Sequence, residues 1–156
     1  MSIQFTTFKV GSIFCAIDIL YVREITKNPQ ITPVCLVPKS IRGLQNLRGQ
    51  IVTVLDLGVK INQNPVTSSQ PFCILLKTSL ELSKTHGTII DSTIKLNESM
   101  GILVDEISDL ITINISELED VPASFLEMKK DFISKIFKTN EQIYFILDPY
   151  LIVREE

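Results

Sequence analysis

The groups in this chain that could carry chemistry are three thiols, one imidazole and four carboxylates that close strand-like runs. Cys15, Cys35 and Cys73 are widely spaced and contain no C-x-x-C pair. A catalytic thiol needs a base such as histidine within hydrogen-bond reach. The sole histidine, His86, stands in a polar stretch that reads as a loop tip. All three cysteines therefore read as small buried hydrophobes in a reducing cytosol. Asp18, Asp56, Asp105 and Asp148 lack the His, Lys or metal-ligand cluster that a paired-carboxylate active site requires. A receiver-type phosphoacceptor would need alternating βα units, an acidic pair after its first strand and a late lysine. Here the strand-like runs follow one another through proline-rich and polar links, so Asp56 and Asp148 read as turn formers closing their strands. Gly43 and Gly49 suit turns with positive φ; a phosphate loop would need more glycines and a following helix.

The elements that must position these groups are mostly strands. With 45% hydrophobic and 21% charged residues the chain is globular, and its 156 residues allow one domain, or two very small ones sharing a core. Tryptophan is absent, so the core is aliphatic, and the recurring Ile and Val favour pleated sheet. A net charge of −3 argues against nucleic acid, whose binding needs a basic face. No apolar run approaches the roughly 20 residues that span a membrane, and no secretion signal is visible at the N-terminus.

Strands are expected at Phe5–Val10, Ile13–Ile19, Tyr21–Thr26, Gln50–Leu57, Phe72–Lys77, Gly101–Asp105, Leu110–Ile113 and Gln142–Asp148. Pro29, Pro33 and Pro38 punctuate an extended connection. The polar segment Thr78–Glu98 reads as a long hairpin with weak strands at Thr88–Ile90 and Thr93–Leu96. A short helix within Ser124–Lys130 fits the spacing of Phe125 and Met128, with Ser124 as its cap.

The sequence also repeats. Ile41–Leu44 aligns with Ile133–Ile136, and Gln50–Asp56 then falls on Gln142–Asp148 without a gap, an offset of about 92 residues throughout. Cys15–Asp18 resembles Ile102–Asp105 at an offset of about 87. Each copy is too small to bury a good core alone, so two packed barrels follow.

The run Ile41-Arg42-Gly43-Leu44-Gln45-Asn46-Leu47-Arg48-Gly49-Gln50-Ile51-Val52-Thr53-Val54-Leu55-Asp56-Leu57 resembles the signature of CheW-type chemotaxis coupling proteins. Phe14–Ile25, Gly101–Ile107 and the closing Ile143–Leu147 strand resemble further elements of that family in the same order, covering nearly the whole chain. The resemblance implies an all-β fold of two intertwined five-stranded SH3-like barrels with short helical pieces and a hydrophobic groove between them, one domain spanning 1–156. It implies a cytoplasmic, non-enzymatic adaptor without cofactor or metal. Such an adaptor couples the cytoplasmic tips of methyl-accepting chemoreceptors to the regulatory domain of a histidine kinase in membrane-associated arrays. An adaptor of a related chemosensory system, serving surface motility or another output, is the nearest alternative; a receiver-like phosphoacceptor is the alternative from another class.

Carried across by motif position, Val22, Glu24, Asn46 and Arg48 lie at the receptor-binding surface, with Arg42 matching a basic residue of some relatives. Read physically, Arg48 is a fork-shaped cation held on a turn, suited to a partner carboxylate. An internal bridge to Glu24 or Asp56 is the competing role. Two features depart from the family pattern: segment 78–98 is long, and Lys135 replaces the usual glycine of the second repeat, so that a different turn is expected there.

Overall fold

The computed structural model describes residues 1–62, 64–86, 96–123, 132–139 and 141–153. Ten strands are named: β1 Ser2–Val10, β2 Ile13–Asp18, β3 Val22–Lys27, β4 Ile41–Leu47, β5 Gln50–Asp56, β6 Phe72–Leu76, β7 Met100–Val104, β8 Glu106–Asn114, β9 Ile133–Thr139 and β10 Gln142–Leu147. Three short α-helices are also named, α1 Leu57–Asn62 and α2 Ser79–His86 between strands and α3 Pro149–Val153 after β10. The strands form two five-stranded sheets, ordered β8-β1-β2-β10-β9 and β3-β6-β7-β5-β4.

The two sheets have one topology. In each, a single parallel contact, β2 with β10 or β7 with β5, lies among antiparallel neighbours. In each, the chain beyond one edge strand bridges to the other edge. Thr32 exchanges both backbone hydrogen bonds with Leu44 of β4, and Glu119 does the same with Ile136 of β9, which curls each sheet into a small barrel. The amino-terminal hairpin β1-β2 belongs to the barrel of β8, β9 and β10, so the barrels are intertwined.

Burial follows from this layering. Alternate residues of a strand point to opposite faces. On β2, Ala16 joins a cluster with Phe5, Ile113, Phe137, Tyr144 and Ile146, the interior of the second barrel. Its neighbours Cys15 and Ile17 join the larger core with Val52, Val54, Ile74 and Ile102 of the first barrel. The central strands are thus buried on both faces, which is why they read as continuous apolar runs.

Most expected strands are present with small boundary shifts, and four points differ. Ile41–Leu47 and Ile133–Thr139 are strands β4 and β9; glycine and polar residues within them hid the alternation. Lys135 occupies no turn but pairs with Ile146 inside β9, beside a bulge. The start of the expected 78–98 hairpin is helix α2, and His86 ends that helix rather than tipping a loop. A reciprocal pair caps it, since Glu81 N donates to Thr78 Oγ1 at 3.2 Å and Thr78 N to Glu81 Oε1 at 2.9 Å. Cys35 is exposed, because the proline-punctuated connection around it runs over the surface without a strand to bury it; Cys15 and Cys73 are buried as expected. The strand at Thr88–Ile90, most of Thr93–Leu96 and the helix within Ser124–Lys130 fall outside the described residues.

Candidate functional site

The β4–β5 hairpin turns through Arg48 and Gly49, because Leu47 pairs with Gln50. Both loop residues have positive φ, 52° at Arg48 and 85° at Gly49. A two-residue turn of this hand matches the right-handed twist of the strands. Glycine adopts it freely, whereas arginine there is strained by roughly 1 kcal/mol or more. Asn46 fixes the turn, its Oδ1 accepting the Gly49 N–H at 3.0 Å. The turn thus aims the Arg48 side chain outward; Glu141, in the turn of the equivalent β9–β10 hairpin, also has a positive φ of 64°.

Arg48 is 65% exposed at its side chain, and its Nη2 donates to Glu24 Oε2 on β3. Of the two internal partners weighed for it, Glu24 is the one it meets. Asp56 is held by Arg42 instead, with Nη1 2.5 Å from Oδ2. Val22, on the same strand as Glu24, is half-buried against the main core, opposite Leu76. Four of the expected residues therefore share one region: Val22 and Glu24 on β3, Asn46 and Arg48 at the end of β4. Arg42 lies at the other end of β4. It also donates to the Val66 carbonyl at 3.3 Å, so its guanidinium is engaged inside the fold.

Two apolar residues adjoin this region. Ile25 follows Glu24 and is exposed, and Ile51, paired with Asn46, is 56% exposed. The alternation in Gln50–Asp56 carried the signal, because Val52 and Val54 inward put Ile51 outward. Exposed aliphatics thus stand beside the exposed Arg48–Glu24 pair.

Asp56 is 1% exposed, and besides Arg42 its oxygens accept the N–H groups of Val59 and Val66. Burial pushes the Cys73 thiol up to about 12 and the Cys15 thiol higher still, which suppresses thiolate. No cluster of three metal-ligating side chains occurs among the described residues. No described helix is long and apolar enough to cross a membrane.

Residues 4–156 match the family model for the CheW-like domain. The chain belongs to the CheW-like domain family. It is 26% identical over 145 residues to the chemotaxis protein CheW of Klebsiella aerogenes, covering 93% of this chain and 78% of that one. It is 26% identical over 151 residues to the chemotaxis protein CheW of Bacillus subtilis, covering 96% and 85%. The crystal structure of the scaffolding protein TtCheW from Thermoanaerobacter tengcongensis superposes with a TM-score of 0.79 at 22% identity, over 100% of this chain and 90% of that one. In this CheW-like chain the strained Arg48 turn falls inside the signature run that carried the resemblance.

Proposed function

We infer that the chain is a non-enzymatic adaptor that couples chemoreceptors to a chemotaxis histidine kinase. The observation that carries this reading is the family match across residues 4–156. The receptor tip docks on the region of Val22, Glu24, Asn46 and Arg48, with Ile25 and Ile51 supplying apolar contact. Arg42, at the other end of β4, supports the region by holding Asp56. The regulatory domain of the kinase takes a separate surface. Residues 1–156 act as one domain made of two pseudo-repeated barrel subdomains, working in the cytoplasm at receptor arrays through these partners. The same surfaces would serve an adaptor of a related chemosensory system. The receiver alternative has little support, since Asp56 is buried and already bonded.

Calorimetry with a purified receptor-tip fragment and a purified kinase regulatory domain tests the proposal. The chain is expected to bind each partner, and both together. Binding to neither more tightly than about 1 mM would overturn it. Incubation with a phosphodonor should leave no acid-labile phosphate on Asp56.

A further inference from the structure

The two barrels carry equivalent bulges with different residues in them. In the first, the register slips between Ile41 and Gly43, leaving Arg42 as the extra residue. In the second it slips at the equivalent place, between Ile133 and Lys135, leaving Ser134. The paired parallel strands of each barrel also end in equivalent carboxylates. β5 ends in Asp56 and β7 runs into Asp105; β10 runs into Asp148 and β2 ends in Asp18.

In the first barrel both carboxylates are covered. Arg42 Nη1 lies 2.5 Å from Asp56 Oδ2, and Val66 N lies 3.1 Å from each Asp56 oxygen. Asp105 Oδ1 accepts from Ser68 N at 3.0 Å and Oδ2 from Gly11 N at 2.7 Å. In the second barrel only one oxygen of each is used by the described residues. Asp148 Oδ1 accepts from Tyr150 N and Leu151 N, and Asp18 Oδ1 accepts from Leu20 N. Neither Oδ2 has a partner among the described residues. Ser134 cannot supply the missing cation, and its hydroxyl donates to the Ile146 carbonyl at 3.3 Å.

A cavity of about 240 Å³ occupies that place, lined by Asp18, Asp148 and Ser134 and walled by Phe5, Tyr21 and Ile146, among others. Lys135 is at its edge, but its ammonium is 2.7 Å from Asp120 Oδ1. The Tyr21 hydroxyl is pushed up by burial and by the fields of Asp148 and Asp18, consistent with both carboxylates facing the same space. An apolar wall beside two half-buried carboxylates suits a cation on an aliphatic stem.

We propose that this cavity binds a guanidinium group on an aliphatic stem, seated against Asp148 and Asp18 as Arg42 is seated against Asp56. The group is supplied either by a free small molecule or by an arginine side chain of a partner. The inference stands on the comparison of the two barrels and is independent of the coupling role.

The test is an amide-resonance titration of the whole chain with agmatine and, separately, with a capped Val-Arg-Val peptide. Saturable shifts are expected at Tyr21, Ser134 and Asp148 with at least one probe. Tighter binding of the peptide identifies a partner side chain as the source, and tighter binding of agmatine a free ligand. Asp148→Asn keeps an oxygen to accept from α3 but removes the charge, and should weaken binding about tenfold. Ser134→Arg places the cation in cis at an exposed bulge; it should abolish the shifts and raise the melting temperature. No saturable shift with either probe, or undiminished binding in Ser134→Arg, would overturn the assignment. The second variant decides the matter even if the first fails to fold.

Discussion

Arg42 and Asp56 form an ion pair in which one partner is half-open to water and the other is sealed: the Arg42 side chain is 41% exposed and Asp56 only 1%. The pair ties the β4 bulge to the start of α1, because Asp56 also accepts the Val59 N–H. Arg42→Ala leaves a buried carboxylate with backbone donors only. The expected cost is about 2–3 kcal/mol, below the roughly 3–5 of a fully buried pair because solvent screens the arginine. Urea unfolding checks this: the midpoint should fall with little change in slope.

The Arg48–Glu24 pair is more open, so its contribution to folding is small. A double-mutant cycle should give a coupling of about 0.2–1 kcal/mol in stability. Arg48→Gly also relieves the positive-φ strain of about 1 kcal/mol, so its melting temperature should stay near that of the parent. Receptor-tip affinity should nevertheless fall by roughly 1–3 kcal/mol, with kinase binding unchanged. Equal loss of both partners would remove Arg48 from a receptor-specific surface.

Val54 and Ile146 hold equivalent places in separate clusters. Val54→Ala and Ile146→Ala should each destabilise by roughly 1–4 kcal/mol through lost burial and residual cavity. Thermal melts that leave both variants at the parent temperature would contradict the register.

The thiols make a prediction for reactivity and alkaline pH. Cys35 should react at once with a disulfide reagent, whereas Cys15 and Cys73 should react only on unfolding. Burial raises the Cys73 thiol from 9.0 to about 12, and the Tyr150 hydroxyl from 10.0 to about 12. Both groups are neutral in the fold, and the unfolded chain ionises first. Their contribution is complete below about pH 9 and is lost as pH rises from there toward 12. Unfolding monitored across that range should show stability falling with pH; a flat profile would show the groups to be solvated.

What the sequence determined is what local pattern and internal repetition encode. Strand periodicity placed most of both sheets, and the ungapped repeat anticipated that β4-β5 and β9-β10 share one design. The run from Ile41 to Leu57 and its flanks carried the family, and with it the expected site residues. Helix α2 was legible in principle, through Thr78 and Glu81 spaced as a capping pair, but the polar composition around them masked it. Other relationships needed the tertiary structure. The parallel pairing of β2 with β10 joins Cys15 to Phe145, and no short-range pattern specifies a partner so far along the chain. The choice of arginine for Asp56 was equally hidden. Arg42 and Arg48 lie on one strand and its turn, and only the bulge, which changes the direction of one side chain, turns Arg42 toward Asp56 and leaves Arg48 for Glu24. The half-used carboxylates of the second barrel belong to the same class: that no described residue pairs a cation with them is visible only when folding brings Ser134 to the place that Arg42 fills in the first.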